Sequence, residues 1–127
     1  MNNKREGSNF ERRFARALAP THWVHIIKDN RNGQPFDIIA VEDNFAEVFD
    51  CKLCKGDIFR YSRIEVNQHL AFKKMRERGN IFCYLALCFG RESDRAYIVQ
   101  YEKLRMLKRD ISYWEVCELA DYCIKLS

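Results

Sequence analysis

The stretch that most restricts the fold is residues 81–89, the longest apolar run in the chain. It is strand-sized and well short of the roughly 20 residues a helix needs to span a bilayer. Bounded by polar residues on both sides, it reads as a strand buried within a sheet. Shorter strands are expected around it. Residues 23–27 form one, and residues 36–42 and 45–52 form two more joined as a hairpin at Asp43-Asn44. Residues 95–101 follow the buried strand across a polar turn, and residues 29–35 are a dense turn signal. Two helices interrupt the strands. The first is expected from Ser8 to Leu18, closed by Ala19-Pro20, and the second from Ser62 to Gly79. Ser8-x-x-Glu11 and Ser62-x-x-Glu65 both fit a capping box. The tail from Glu102 is mixed, with a short helix near Leu104, another after Ser112 and a last strand near Cys123. The order predicts a mixed α/β fold with helices flanking a central sheet.

The 127 residues suffice for one domain with its own core, and a 47% hydrophobic, 31% charged composition is that of a soluble globular chain. Met1 to Glu6 are polar or charged apart from Met1, and no apolar segment of signal type follows, so a cytoplasmic location is expected, a host cytoplasm if the chain is phage-encoded. Six cysteines suggest a disulfide framework only in an oxidising compartment. Cys83 and Cys88 lie in the buried run, Cys51 and Cys54 make a lone CxxC, and Cys117 and Cys123 do not complete a four-cysteine metal site. Reduced thiols are the expectation.

The residues able to do chemistry gather in the hairpin. Side chains alternate along a strand, so Asp50 and Lys52 share a face with Ala46 and Val48, and Asp37 shares one with Ile39 and Val41. Pairing the strands as a hairpin brings Asp37 beside Asp50 and Lys52. Two acids with a lysine suit a hard divalent cation and a phosphate substrate, yet the same spacing also describes a strand-end ion pair with Asp37 as a turn cap. Glu11 is similarly ambiguous. It is either the partner in a capping box or a carboxylate on the core-facing stripe of Phe14, Ala15 and Leu18, where it needs a cation or a partner. Gln68 shares a helix face with Ile64, Ala71, Phe72 and Met75, either as a satisfied core amide or as a group that positions water or phosphate.

Pro35-Phe36-Asp37, followed after an interval by Asp50-Cys51-Lys52, resembles the core of the PD-(D/E)XK nucleases. Gly7-Ser8-Asn9-Phe10-Glu11-Arg12 resembles the opening of the archaeal-type Holliday-junction resolvases. Residues 35–40 and 48–52 are similar to their second and third strands, and residues 59–68 to the segment entering their second core helix. Phage and Gram-positive bacterial resolvases of this fold are similar in outline. The resemblance spans about residues 7–104, with residues 105–127 as a helical or mixed tail to a single nuclease domain. It implies a restriction-endonuclease-like core and Mg²⁺- or Mn²⁺-dependent hydrolysis of phosphodiester bonds in DNA. It assigns Glu11, Asp37 and Asp50 as metal-site acids, the Cys51 backbone carbonyl as a further ligand, Lys52 as the catalytic lysine, and a role near the site to Gln68.

Two positions depart from the family pattern. Asp50 stands where a glutamate is usual, and Asn30, Arg31 and Asn32 occupy a loop that tends to carry a serine. The net charge of +4 permits a polyanion partner, and Arg12, Arg13, Arg16, Lys55, Arg60 and Arg63 are candidate phosphate contacts. Phe59 and Tyr61 interleave with these charges, as bases' stacking partners or as core or dimer residues. Symmetric cutting of a branched substrate implies a homodimer, with tail residues Tyr113, Trp114 and Tyr122 as candidate interface. The competing readings are a nuclease of this fold with another DNA target, such as a nicking, restriction-type or phage origin-cutting enzyme, and a non-catalytic DNA-binding module.

Overall fold

A computed structural model describes residues 3–28 and 33–126. Its strands are β1 (Trp23–Ile26), β2 (Ile38–Glu42), β3 (Phe45–Cys54), β4 (Ile58–Phe59), β5 (Cys83–Phe89), β6 (Arg95–Gln100), β7 (Ile111–Ser112) and β8 (Tyr122–Lys125). The helices are α1 (Asn3–Leu18), α2 (Val66–Glu77), α3 (Tyr101–Leu107) and α4 (Tyr113–Leu119). Six strands form one mixed sheet in the order β1-β2-β3-β5-β6-β8, and β4 pairs with β7 in a small second sheet. Among the described strands β3 and β5 are the one neighbouring pair in the main sheet that is parallel, and α2 lies on the long crossover between them.

Every residue of β5 is buried, as its unbroken apolar sequence requires. Its two faces feed two cores. Leu85, Leu87 and Phe89 join Val48, Phe72, Tyr101 and Val116 on the α2 side. Tyr84, Ala86 and Cys88 join Phe10, Phe14, Leu18 and Phe49 on the α1 side. Phe10, Phe14 and Leu18 recur every four residues and so form one helical stripe. Phe14 is fully buried and meets Phe49 edge-on at 5.0 Å between ring centroids.

The hairpin turns at Asp43, whose φ of 50° places it in the left-handed region that aspartate tolerates. Its register pairs Ile38 with Phe49, which sets Asp37 opposite Asp50 as the alternation predicts.

Both expected capping boxes are corrected. The first helix begins at Asn3, so Ser8 lies inside it and does not cap it. Lys4, Arg5 and Glu6 are good helix formers, and they extend the helix backwards through Gly7. At the second helix Ser62 sits in a 3₁₀ turn spanning Tyr61–Arg63, and the cap is Glu65, paired reciprocally with Gln68. A true serine box does occur later, at Ser112 and Glu115 before α4. The tail adds β8 to the edge of the main sheet. Tyr113 is buried and Tyr122 is partly buried, with its hydroxyl on Glu47, so of the proposed tail interface only Trp114 is exposed. Phe59 is wholly buried and belongs to the core. All six cysteines are free, and Cys54, Cys83 and Cys88 are buried. Among the described residues no helix is long and apolar enough to cross a membrane.

Candidate active site

The hairpin delivers the acids to one end of the sheet. The Asp37 N–H donates to the Phe49 carbonyl at 2.9 Å, and the Ile27 N–H donates to the Asp37 carbonyl at 2.8 Å. The backbone of Asp37 is thereby locked between the neighbouring strands. Its carboxylate Oδ2 accepts from the Cys51 N–H at 2.7 Å, and its Oδ1 accepts from the Gln34 side-chain amide. Two donors thus fix the orientation of the Asp37 carboxylate at the strand end.

Asp50 is fully buried at 0% exposure, on the α2 side of β3 together with Lys52. The Lys52 ammonium lies 3.0 Å from Asp50 Oδ2. Oδ2 is buried with that ammonium as its neighbour and no further hydrogen bond among the described residues. Burial and the neighbouring Asp37 raise the Asp50 pKa well above the usual carboxylate value, against the pull of Lys52. A carboxylate in that position resists ionisation unless more positive charge arrives.

Gln68 closes the site from α2. Its amide nitrogen donates to Asp50 Oδ1 at 2.7 Å, and its carbonyl accepts from Lys52 Nζ at 3.3 Å. The same carbonyl accepts from the Glu65 N–H at 3.0 Å, which completes the helix cap. The satisfied-amide reading is what the geometry shows: one buried amide caps a helix and holds an acid and a lysine together.

Glu11 approaches from α1, on the opposite layer. It lines a cleft of about 340 Å³ with Ser8, Arg12, Lys28 and Gln34, and Gln34 is the residue that holds Asp37. The Cys51 thiol registers the convergence. Burial raises its pKa, and Asp37, Asp50 and Glu11 add to that rise while Lys52 opposes it. All four charged groups act on one point of β3, although α1 and α2 lie on opposite faces of the sheet.

The cationic candidates divide. Lys55, Arg60 and Arg63 line a cleft of about 460 Å³ that includes Cys51 and Gly7. Arg63 also donates to the Leu53 carbonyl at 2.7 Å, and Arg60 forms a surface pair with Asp110 at 3.4 Å. Arg12 and Arg16 share the α1 face toward His25 and Ile26, with Arg12 beside Glu11. Arg13 lies on another face, near Cys88. Asn30, Arg31 and Asn32 lie outside the described residues.

Sequence reasoning missed Gln34, which lies three residues before Asp37 in a turn-like string and carries no pattern of its own. It also missed Asn67, whose amide donates to the Gln34 carbonyl at 2.7 Å and ties that turn to α2. Gln34 Oε1 is buried and accepts no hydrogen bond.

Comparison with known proteins bears on this arrangement. The family model described as archaeal Holliday junction resolvase (Hjc) matches residues 2–122. The structure of Hjc from Archaeoglobus fulgidus, a Holliday junction resolvase from an archaeal hyperthermophile, superposes with a TM-score of 0.68 at 19% identity, covering 91% of this chain and 89% of that one. No curated protein sequence matches.

Proposed function

This chain belongs to the archaeal Holliday junction resolvase family of structure-selective DNA endonucleases, and on that premise we propose that Glu11, Asp37, Asp50 and Lys52 are its catalytic set. The proposal rests on one observation above all. Asp50 is a fully buried acid with its pKa driven up by that burial and by Asp37, and its Oδ2 has the Lys52 ammonium beside it as counter-charge. That is an energetically poor arrangement for the protein alone, and a divalent cation corrects it by balancing both carboxylates.

Glu11, Asp37, Asp50 and the Cys51 carbonyl would hold the ion, and an all-oxygen donor set is of the Mg²⁺ or Mn²⁺ type. Bound there, the ion supplies Lewis-acid activation of the phosphodiester and lowers the pKa of a bound water. The chain's own groups do the rest. Lys52, steadied by Asp50 and Gln68, presents positive charge where negative charge grows on the phosphate, and it orients the attacking water. Gln34 and the Cys51 N–H keep the Asp37 carboxylate from rotating. Lys55, Arg60 and Arg63 contact backbone phosphates in the adjoining cleft, and Arg12 does so beside Glu11.

Two symmetric cuts in a four-way junction require two such sites, so the working unit is a homodimer. Val66 and Leu70 lie one turn apart and exposed on α2, which makes that helix a better interface candidate than the tail. Sedimentation at micromolar concentration tests this. A dimer in wild type and a monomer in a Leu70→Glu variant support it, and a wild-type monomer refutes it.

The site assignment is tested by single-turnover cleavage with Mg²⁺. Asp37→Asn, Asp50→Asn and Lys52→Ala should each cut at least 100-fold more slowly while still binding the junction. Full cleavage by any of the three would remove that residue from the catalytic set.

A further inference from the structure

A second cluster of ligand atoms lies at the other end of β3. His22, in the turn after α1, directs Nε2 at Glu47 Oε1 at 2.9 Å and at Glu42 Oε2 at 3.1 Å. The three ligand atoms lie within 4.8 Å of one another. Glu47 is three residues before Asp50, so it is about 10 Å away along the strand and on the opposite face.

Charge decides how such a cluster can exist. Glu47 is only 6% exposed, and a buried carboxylate is costly unless its charge is balanced. Among the described residues, no lysine or arginine forms an ion pair with Glu42 or Glu47. A divalent cation held between the two carboxylates would balance both of their charges.

Hydrogen bonding points the same way. The Thr21 hydroxyl donates to the Leu18 carbonyl at 3.2 Å, which commits its only proton. Thr21 Oγ1 is then the acceptor for His22 Nδ1–H at 2.8 Å, which turns the Nε2 edge of the ring toward the two carboxylates; there Nε2–H donates to Glu47 Oε1 at 2.9 Å, and a divalent cation would take that proton's place. The remaining oxygen of Glu47 accepts from the Tyr122 hydroxyl at 2.9 Å. His22 and Glu47 therefore each have an outer partner that fixes their orientation, as ligands around a bound metal commonly do.

We propose that His22, Glu42 and Glu47 form a divalent-cation site of the Zn²⁺ type, separate from the nuclease centre. One nitrogen and two carboxylate oxygens provide three ligands, and the fourth position opens into a cleft of about 440 Å³ bordered by Phe45 and Phe82. Occupancy ties the turn after α1 to both strands of the hairpin. The inference does not depend on the assignment of the catalytic acids, because the two donor sets share no residue.

The test is ¹⁵N-imidazole NMR of the wild-type protein during titration with Zn²⁺. The catalytic acids include no histidine, so the spectrum reports this cluster, with His25 and His69 as internal controls. One equivalent of Zn²⁺ should shift the His22 signals with Nε2 as the ligating nitrogen and leave the other two unchanged. Glu47→Gln should weaken binding at least tenfold. A thermal melt of the same two proteins should show Zn²⁺ raising the wild-type Tm and not the variant's. The site is refuted if His22 is unmoved at one equivalent, if it moves only at large excess as an adventitious contact, or if Glu47→Gln binds as tightly as wild type.

Discussion

Replacing Gln68 by alanine should damage folding and cleavage together, because one amide serves the helix cap and the catalytic pair. The substitution removes half of a capping box, worth about 0.5–2 kcal/mol. It also strips Asp50 Oδ1 of its donor at 2.7 Å and Lys52 of its acceptor at 3.3 Å. A buried polar group left without its partner costs about 1–3 kcal/mol. The combined loss is about 1.5–5 kcal/mol, which in a chain of this size lowers Tm by roughly 6–20 °C. Gln68→Glu separates the two roles. Its carboxylate can still accept from the Glu65 N–H and from Lys52, but it has no proton to give Asp50 and sets a third negative charge against that acid. It should keep more of the cap than alanine does, yet cleave poorly at neutral pH. Differential scanning fluorimetry and junction cleavage on the three proteins read both effects. If Gln68→Ala melts within 2 °C of wild type and cuts at the same rate, the amide is a bystander and this reasoning fails.

Other predictions concern the acids, the basic cleft and the core. The folded-state pKa of Asp50 is raised, so the metal-free native state holds a proton more tightly than the unfolded chain, and its stability falls as pH rises from the ordinary carboxylate range through the raised value. Asp50→Asn should remove that loss, giving a metal-free protein that melts higher than wild type at neutral pH and does not cut. Mg²⁺ binding by wild type, followed by calorimetry, should weaken as pH falls, since the proton and the ion compete for Asp50. The double variant Lys55→Ala, Arg60→Ala should bind junction DNA more weakly and reduce the slope of log K against log salt by about 2, with stability changed by less than about 0.5 kcal/mol. Phe14→Ala should cost about 3–5 kcal/mol in chemical denaturation, because the fully buried ring anchors α1, and with it Glu11, to Phe49.

The order of elements was legible because each strand carried its own period: an unbroken apolar run in β5, alternation in β2 and β3. The acids were legible as far as the hairpin register reached, since a two-residue turn fixes Asp37 opposite Asp50. What local patterns cannot convey is contact made across layers. Gln34 reaches Asp37 from a turn, Asn67 reaches that turn from α2, and Tyr122 reaches Glu47 from the far end of the chain. The misplaced caps have a simpler cause. Ser62-x-x-Glu65 and Glu65-x-x-Gln68 overlap, and the second wins because Ser62 is held in a 3₁₀ turn and Gln68 has an acid and a lysine to bind. Arg12, Arg13 and Arg16 illustrate a third limit, since composition groups three side chains that the helix turns onto two faces.

The most direct test of the account is cleavage of a labelled four-way junction beside a matched linear duplex, with Mg²⁺ or with EDTA, by wild type and Asp50→Asn. The account predicts symmetric, Mg²⁺-dependent cutting of the junction alone, lost in EDTA and in the variant. Equal cutting of both substrates, or cutting that survives Asp50→Asn, would contradict it.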